Sequence, residues 1–100
     1  MSTKVGALLV RESEIEAYLV KRVREAGGLT YKFTSPGRAG VPDRIVVLKG
    51  RVSFVEIKAP GKRPTVLQQR ELARLREHGV TATWTSSRED IDAIMDMLAQ

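Results

Sequence analysis

The sequence contains no cysteine and only one histidine, His78. The absence of cysteine excludes disulfides, thiolate metal sites and cysteine nucleophiles. A lone histidine also excludes a multi-histidine zinc site and argues against a Ser-His-Asp triad. No apolar run approaches the roughly 20 residues of a membrane-spanning helix, and residues 1–10 lack a signal-peptide cleavage site. We therefore expect no membrane association and a cytoplasmic location.

The chain has 100 residues, of which 42% are hydrophobic and 29% are charged. This composition is typical of a folded globular protein, and the length suits a single hydrophobic core. We therefore predict one domain over residues 1–100, with its core between about residues 11 and 98.

Positive charge is concentrated in the first two thirds of the chain. Residues 1–63 carry 13 basic and 6 acidic side chains (+7), whereas residues 64–100 carry 4 and 6 (−2). Such a basic region attracts polyanions, of which nucleic acid is the commonest. A solvated surface that only aids solubility would explain the charge equally well.

Hydrophobic periodicity and Gly/Pro punctuation predict an α/β fold in the order α-β-β-β-α-β-α. The predicted helices cover residues 11–26, about 65–78, and a C-terminal segment capped by Ser86 or Ser87. The predicted strands cover residues 29–34, 43–48, 52–58 and 80–85.

Residues 49–51 separate two β-rich runs and predict a hairpin with a three-residue turn. If Leu48 pairs with Val52 across this turn, Asp43 lies opposite Ile57. Side chains alternate along a strand, so Glu56 and Lys58 point to the same side, about 6–7 Å apart. The hairpin therefore gathers two carboxylates and an ammonium at one end.

Asp43, Glu56 and Lys58 have the chemistry of a phosphodiester-hydrolysing site. Two carboxylates, a backbone carbonyl and waters suit Mg²⁺ or Mn²⁺. The ion can polarise phosphorus, and a neighbouring lysine can orient the attacking water or neutralise developing charge. Each piece also has a structural explanation, because an alternating Glu-Ile-Lys run occurs in half-exposed strands and Asp after Pro is common in turns.

Two segments together, Gly40-Val41-Pro42-Asp43 and Glu56-Ile57-Lys58, resemble the G-x-P-D and E-x-K segments of the VRR-NUC domain. This family is a branch of the PD-(D/E)xK nuclease superfamily. The resemblance covers about residues 11–98. It implies a restriction-endonuclease-like core with a mixed central sheet flanked by helices.

The resemblance also implies roles for individual residues. Asp43 and Glu56 would hold the divalent metal ion, and Ile57 would contribute its carbonyl oxygen. Lys58 would assist the nucleophilic water. Gln68 matches a glutamine that opens the second helix in the family and would support the metal-site end.

A glutamate on the first helix belongs to the same pattern, and three candidates compete. Glu12 and Glu16 are four residues apart and share one helix face. We prefer Glu16, which lies closer to the buried stripe, with Glu12 as its substitute and Glu14 as a surface residue. All three could instead be solvated helix charges.

Basic residues flank the predicted metal end in sequence and are candidates for gripping DNA phosphates. They are Lys32, Arg38, Arg44, Lys62 and Arg63. No base-reading motif is visible, so recognition by DNA shape is favoured over recognition by sequence.

The resemblance implies a metal-dependent endonuclease that acts as a homodimer on branched DNA such as four-way junctions. The dimer interface could involve the apolar segment 5–10 or the C-terminal helix. The small size suits a phage-encoded member of the family. Two alternatives stay open: a non-catalytic DNA-binding module, and a hydrolase of small phosphate esters.

Overall fold

The computed structural model describes residues 10–100, which form three helices and four strands. In chain order these are α1 (Glu12–Glu25), β1 (Leu29–Lys32), β2 (Arg44–Leu48), β3 (Arg51–Ile57), α2 (Val66–Glu77), β4 (Thr81–Thr85) and α3 (Arg88–Leu98). The predicted element order is confirmed. No helix within these residues is long and apolar enough to cross a membrane.

The four strands form one mixed sheet in the order β1-β2-β3-β4. The first three strands pair antiparallel, and β4 pairs parallel to β3. Because α2 connects β3 to β4, the chain returns to the same end of the sheet before β4 begins. The parallel pair places Trp84 directly beside Glu56.

The β2–β3 turn is one residue shorter than the sequence predicted. Leu48 pairs with Arg51, not with Val52. Lys49 and Gly50 alone form the turn, with φ of 53° and 77°. Two consecutive left-handed residues are typical of a type I′ turn, whose twist matches that of a hairpin. The predicted pairing of Asp43 with Ile57 was therefore wrong by one residue.

One face of the sheet forms the main hydrophobic core. Alternate strand residues such as Val46, Val55 and Ile57 pack against apolar residues of α1 and α3. Among these, Leu19 and Ile91 have no exposed surface. The apolar side of the C-terminal helix is thus used inside the molecule.

Within residues 10–100 the opposite face is only partly covered, because α2 lies over β4 and much of β1 and β2 and the start of β3 stay exposed. The register places Leu29, Val47 and Val52 in one row across the sheet, and Tyr31, Ile45 and Phe54 in the next. The outer members of these rows are the most exposed: Leu29 is 55%, Tyr31 57% and Val52 47% accessible. We call these six residues the open sheet face.

Candidate functional site

Asp43 and Glu56 lie side by side at one end of the hairpin. The observed register pairs Arg44 with Val55, so the preceding Asp43 falls in line with Glu56. Directly opposed residues point to the same side of a sheet. The corrected register therefore brings the two carboxylates together, whereas the predicted register would have put them on opposite faces.

Two backbone hydrogen bonds fix Asp43. Its carboxylate Oδ2 accepts from the amide of Ile57 at 2.8 Å, and its carbonyl oxygen accepts from the amide of Phe33 at 2.8 Å. Asp43 therefore joins the end of β1 to the end of β3. Its side chain is held immediately next to the residue that follows Glu56.

Glu56 is a buried carboxylate with fewer hydrogen-bond donors around it than its oxygens can accept. The residue is 2% exposed, and within residues 10–100 its Oε1 has no hydrogen-bond donor. Burial, and next the negative charge of Asp43, raise the pKa of Glu56 from its ordinary 4.5 to about 7. Burial and the neighbouring negative charge both disfavour the ionised form of this acid, so a positive charge nearby would stabilise it.

Lys58 is the nearby cation, and it lies on the same side of β3 as Glu56, as strand alternation predicts. Its Nζ is 3.4 Å from Glu56 Oε2, and its side chain is 16% exposed. The attraction of Lys58 lowers the pKa of Glu56 but does not offset burial and Asp43. The backbone amide of Lys58 donates to Thr85 at 2.8 Å, which extends the β3–β4 pairing to this point.

These residues fit a divalent cation. A positive charge at this point would interact favourably with the unsatisfied Oε1 of Glu56 and with the carboxylate of Asp43. Within residues 10–100 no three Asp, Glu or His side chains already converge as a ligand set. Mg²⁺ is nevertheless commonly held by one or two carboxylates with several waters, so two acids and the Ile57 carbonyl are a suitable set.

Glu16, the preferred first-helix acid, is engaged by cations of the sheet. Its Oε2 is 3.1 Å from Arg44 Nη1 and 3.2 Å from Lys32 Nζ. Glu12, one turn earlier, is the first-helix acid whose charge contributes to raising the pKa of Glu56, after burial and Asp43. Glu16 therefore anchors α1 to the sheet, and the charge of Glu12 acts on the acid pair.

Gln68 caps the start of α2. Its side-chain Oε1 accepts from the amide of Thr65 at 2.9 Å, and the Thr65 hydroxyl accepts from the amide of Gln68 at 3.1 Å. This reciprocal pair is a capping box. Gln68 thus fixes the point at which the loop after Lys58 becomes a helix.

The five predicted DNA-contacting residues divide into two groups. Lys32, Arg38 and Arg44 take part in ion pairs with carboxylates of the protein. Arg44 is also buried, with 11% of its side chain exposed, so it is unsuited to a phosphate contact. Lys62 and Arg63 are exposed, and neither is in an ion pair found within residues 10–100.

Sequence reasoning missed Glu71, which holds the loop that leads into Asp43. Its side chain is 8% exposed and pairs with Arg38 of that loop. Gly40 packs so closely against α2 that a Cβ there would lie 2.9 Å from Leu67 Cγ. No sequence signal separates Glu71 from other acids of this helix, because the pairing arises only once the loop folds back.

The chain is similar to a phage protein and to a solved structure. No family model matches the chain. A protein of Acyrthosiphon pisum secondary endosymbiont phage 1, named "Putative nuclease p44", is 60% identical over 68 residues, which cover 67% of this chain and 73% of that protein. A solved structure described as a VRR_NUC domain matches with a TM-score of 0.79 and 31% identity, over 85% of this chain and 94% of the solved one.

These likenesses cover most of each chain, and the mixed-sheet fold of this chain matches the solved VRR_NUC domain. The restriction-endonuclease-like fold is confirmed with it. This chain belongs to the VRR-NUC family.

Proposed function

We propose that this protein is a divalent-metal-dependent DNA endonuclease that hydrolyses phosphodiester bonds in branched DNA. The observation that carries the proposal is the acid pair of Asp43 and Glu56 beside Lys58, with one buried carboxylate oxygen left unsatisfied. The phage relative's name also mentions a nuclease. A phage protein of this kind would meet its DNA in the host cytoplasm.

Asp43 and Glu56 would hold Mg²⁺ or Mn²⁺, with the carbonyl oxygen of Ile57 as a third protein ligand. Such an ion, when bound, polarises the phosphate and lowers the pKa of a bound water. Asp43 is pre-positioned for this role, since the Ile57 amide already fixes its carboxylate. Glu12 is the first-helix acid that we assign to the same site, and Glu16 keeps a structural role.

Lys58 would orient the attacking water and stabilise the charge that develops on the phosphate. Its ammonium is held beside Glu56 at 3.4 Å and is mostly shielded from solvent. A cation fixed in advance in a shielded position stabilises developing charge without reorganising during the reaction. Lys58 would therefore act on the rate of cleavage more than on the binding of metal or DNA.

Lys62 and Arg63 would grip the DNA backbone next to the scissile bond. They follow Lys58 by four and five residues and are exposed on the loop before α2. Lys32, with 69% of its side chain exposed, is a third candidate at the end of β1, where it pairs with the residue after Asp43. Contacts of this kind recognise the path of the backbone and give affinity without reading bases.

We further propose that two copies of this chain act together, because one site cuts one strand and symmetric cutting of a junction needs two. The open sheet face is the surface we assign to the second copy. Its three most exposed residues are large and apolar, and no basic side chain lies in its two rows. Contiguous apolar surface of this kind marks protein contacts. The segment 5–9 lies outside the described residues.

Cleavage of labelled four-way junctions and matched duplexes tests the proposal. With Mg²⁺ or Mn²⁺ the wild type should cut the junction, and Asp43→Asn and Glu56→Gln should cut it at least about a hundredfold more slowly. Asp96→Asn is a matched control, since Asp96 is an exposed acid on α3. Cleavage by Asp43→Asn at the wild-type rate would contradict the proposed metal site.

Calorimetric titration with Mn²⁺ separates an enzyme from a non-catalytic DNA-binding module. We expect heat of binding from the wild type and from Lys58→Ala, and none from Glu56→Gln. Equal heats from the wild type and Glu56→Gln would favour the module.

Sedimentation of Tyr31→Glu against the wild type tests the second copy, because a charge on the open sheet face should shift a dimer toward monomer.

A further inference from the structure

A cavity of about 320 Å³ lies between α2 and β4, on the same face of the sheet as Glu56. Its walls include Leu72 and Ala73 of α2, Trp84 of β4, and two arginines, Arg63 and Arg76. This volume is at the lower end of the range for small-molecule sites. It suits one small planar group and is too small for a duplex.

The cavity is next to the proposed metal site. Trp84 pairs in register with Glu56 across β3 and β4. Neighbouring strands are about 4.8 Å apart, and residues in register on parallel strands point to the same side. Arg63 links the two places along the chain, because it is five residues beyond Lys58 and also lines the cavity.

The lining combines an aromatic ring with fixed polar groups. Arg76 donates through Nε to the carbonyl of Ala82 at 2.6 Å, which orients its guanidinium and leaves its terminal amino groups for another acceptor. Gln69 donates through Nε2 to the carbonyl of Pro64 at 2.9 Å, which leaves its Oε1 as an acceptor. No carboxylate is among the lining residues.

We infer that this cavity binds one unpaired nucleotide of the DNA substrate, with the base against Trp84 and its phosphate near Arg63 and Arg76. The inference rests on the proposed function, and it adds that one nucleotide beside the cut phosphate is unpaired at the branch point of the DNA. A paired base keeps both faces inside the stack and cannot reach such a cavity without being extruded. Stacking on an aromatic side chain and cationic contacts to the backbone are how proteins hold single strands.

The single tryptophan of the chain gives a direct test. Titration of the protein in EDTA with a short single-stranded oligonucleotide should quench Trp84 fluorescence, and a blunt hairpin duplex of the same length should quench it much less. Ala73→Leu fills the cavity without removing charge and should weaken single-strand binding about tenfold. Ala93→Leu, at an exposed alanine of α3, is the matched control and should bind as the wild type does.

A second measurement covers the case in which Ala73→Leu disturbs the fold. Gln69→Ala removes one lining group, and it should reduce the ratio of cleavage of flapped to fully paired DNA. Equal quenching by single-stranded and duplex DNA, or unchanged binding by Ala73→Leu, would overturn the inference.

The outcome is separable from that of the proposed function. Binding is measured without metal and can be repeated in Asp43→Asn, so it does not depend on cleavage. If cleavage requires Asp43 but is unchanged in the cavity variants, the proposed nuclease activity stands and the proposed cavity role is rejected. Quenching of a wild-type protein that cuts no DNA with Mg²⁺ or Mn²⁺ would retain the cavity and reject the nuclease.

Discussion

The carboxylate of Asp43 accepts a 2.8 Å hydrogen bond from the amide of Ile57, the residue that follows Glu56. This bond couples the loop before β2 to the end of β3. The position of one acid relative to the other is therefore set by the backbone and does not await an ion. Predictions about either acid can be made for the metal-free protein.

Asp43→Asn removes the negative charge of Asp43 and keeps the size and shape of its side chain. The amide oxygen of asparagine can still accept from Ile57, so we expect the fold and the metal-free stability to be retained. Cleavage should fall by about a hundredfold or more, equivalent to about 3 kcal/mol, because half of the acid pair is neutralised. The checks are single-turnover cleavage and urea unfolding in EDTA. A large loss of stability would assign Asp43 a mainly structural role.

The metal-free protein should become less stable as the pH rises from about 4.5 to 7. The pKa of Glu56 is raised in the folded state to about 7, chiefly by burial, so in this window the folded chain holds a proton that the unfolded chain has released. The loss should be on the order of 3 kcal/mol and should be complete above pH 7. Urea unfolding in EDTA across this range measures it.

Glu56→Gln is the control for the pH effect, since glutamine does not titrate and fits the same space. Its stability should show no such decline between pH 4.5 and 7. Saturating Mg²⁺ should also reduce the decline in the wild type, because a cation favours the ionised carboxylate. A decline of equal size in Glu56→Gln would assign the effect to another group.

Arg44→Met should destabilise the fold by about 2 kcal/mol. The guanidinium is almost buried and bonds to Glu16, so its removal leaves a half-buried carboxylate with Lys32 alone. Arg24→Met, on the exposed side of α1, should have little effect. The salt dependence of DNA binding should be the same in both variants. If Arg44→Met instead flattens that dependence, Arg44 contacts phosphate after all.

Gly40→Ala should lower the stability of the fold and the rate of cleavage, and Gly37→Ala should change neither. Gly40 has φ of +86°, and an added Cβ would lie 2.9 Å from Leu67 Cγ and 3.3 Å from the Leu67 carbonyl oxygen. We expect a loss of about 1–3 kcal/mol and slower cleavage, because the loop that carries Asp43 must shift. Gly37 has nothing within 4 Å. Thermal melts and cleavage rates of the two variants make the comparison.

Lys62→Ala and Arg63→Ala should each reduce the slope of log affinity against log salt by about one. Each is exposed, so stability should be unaffected. Arg24→Ala, which removes an exposed charge from α1, should leave the slope unchanged. Equal slopes in all four proteins would place the DNA elsewhere on the surface.

The element order and the shared side of Glu56 and Lys58 could be predicted because both depend on local pattern. Strand alternation and glycine punctuation are properties of neighbouring residues. The β2–β3 register could not be obtained in this way. It depends on Lys49 adopting a left-handed conformation that few non-glycine residues adopt, so a turn that extended to Arg51 was the simpler prediction.

The ion-pair partners of the first-helix acids were also beyond the sequence. Helix periodicity shows which residues share a face, but it does not show which cations the sheet brings to that face. Arg44 and Lys32 come from separate strands and meet Glu16 only in the folded chain. The same holds for Arg38, whose partner Glu71 is 33 residues away.

The hairpin geometry limits how this family can vary in length. Asp43 and Glu56 sit equally far from the Lys49-Gly50 turn, so the turn can grow by a residue and leave both acids in line. A residue inserted into one arm alone would rotate every later side chain of that arm to the other face. One acid would then point into the helix-covered core. Natural length changes between the two acids should therefore occur at the turn, and any within an arm should come in pairs.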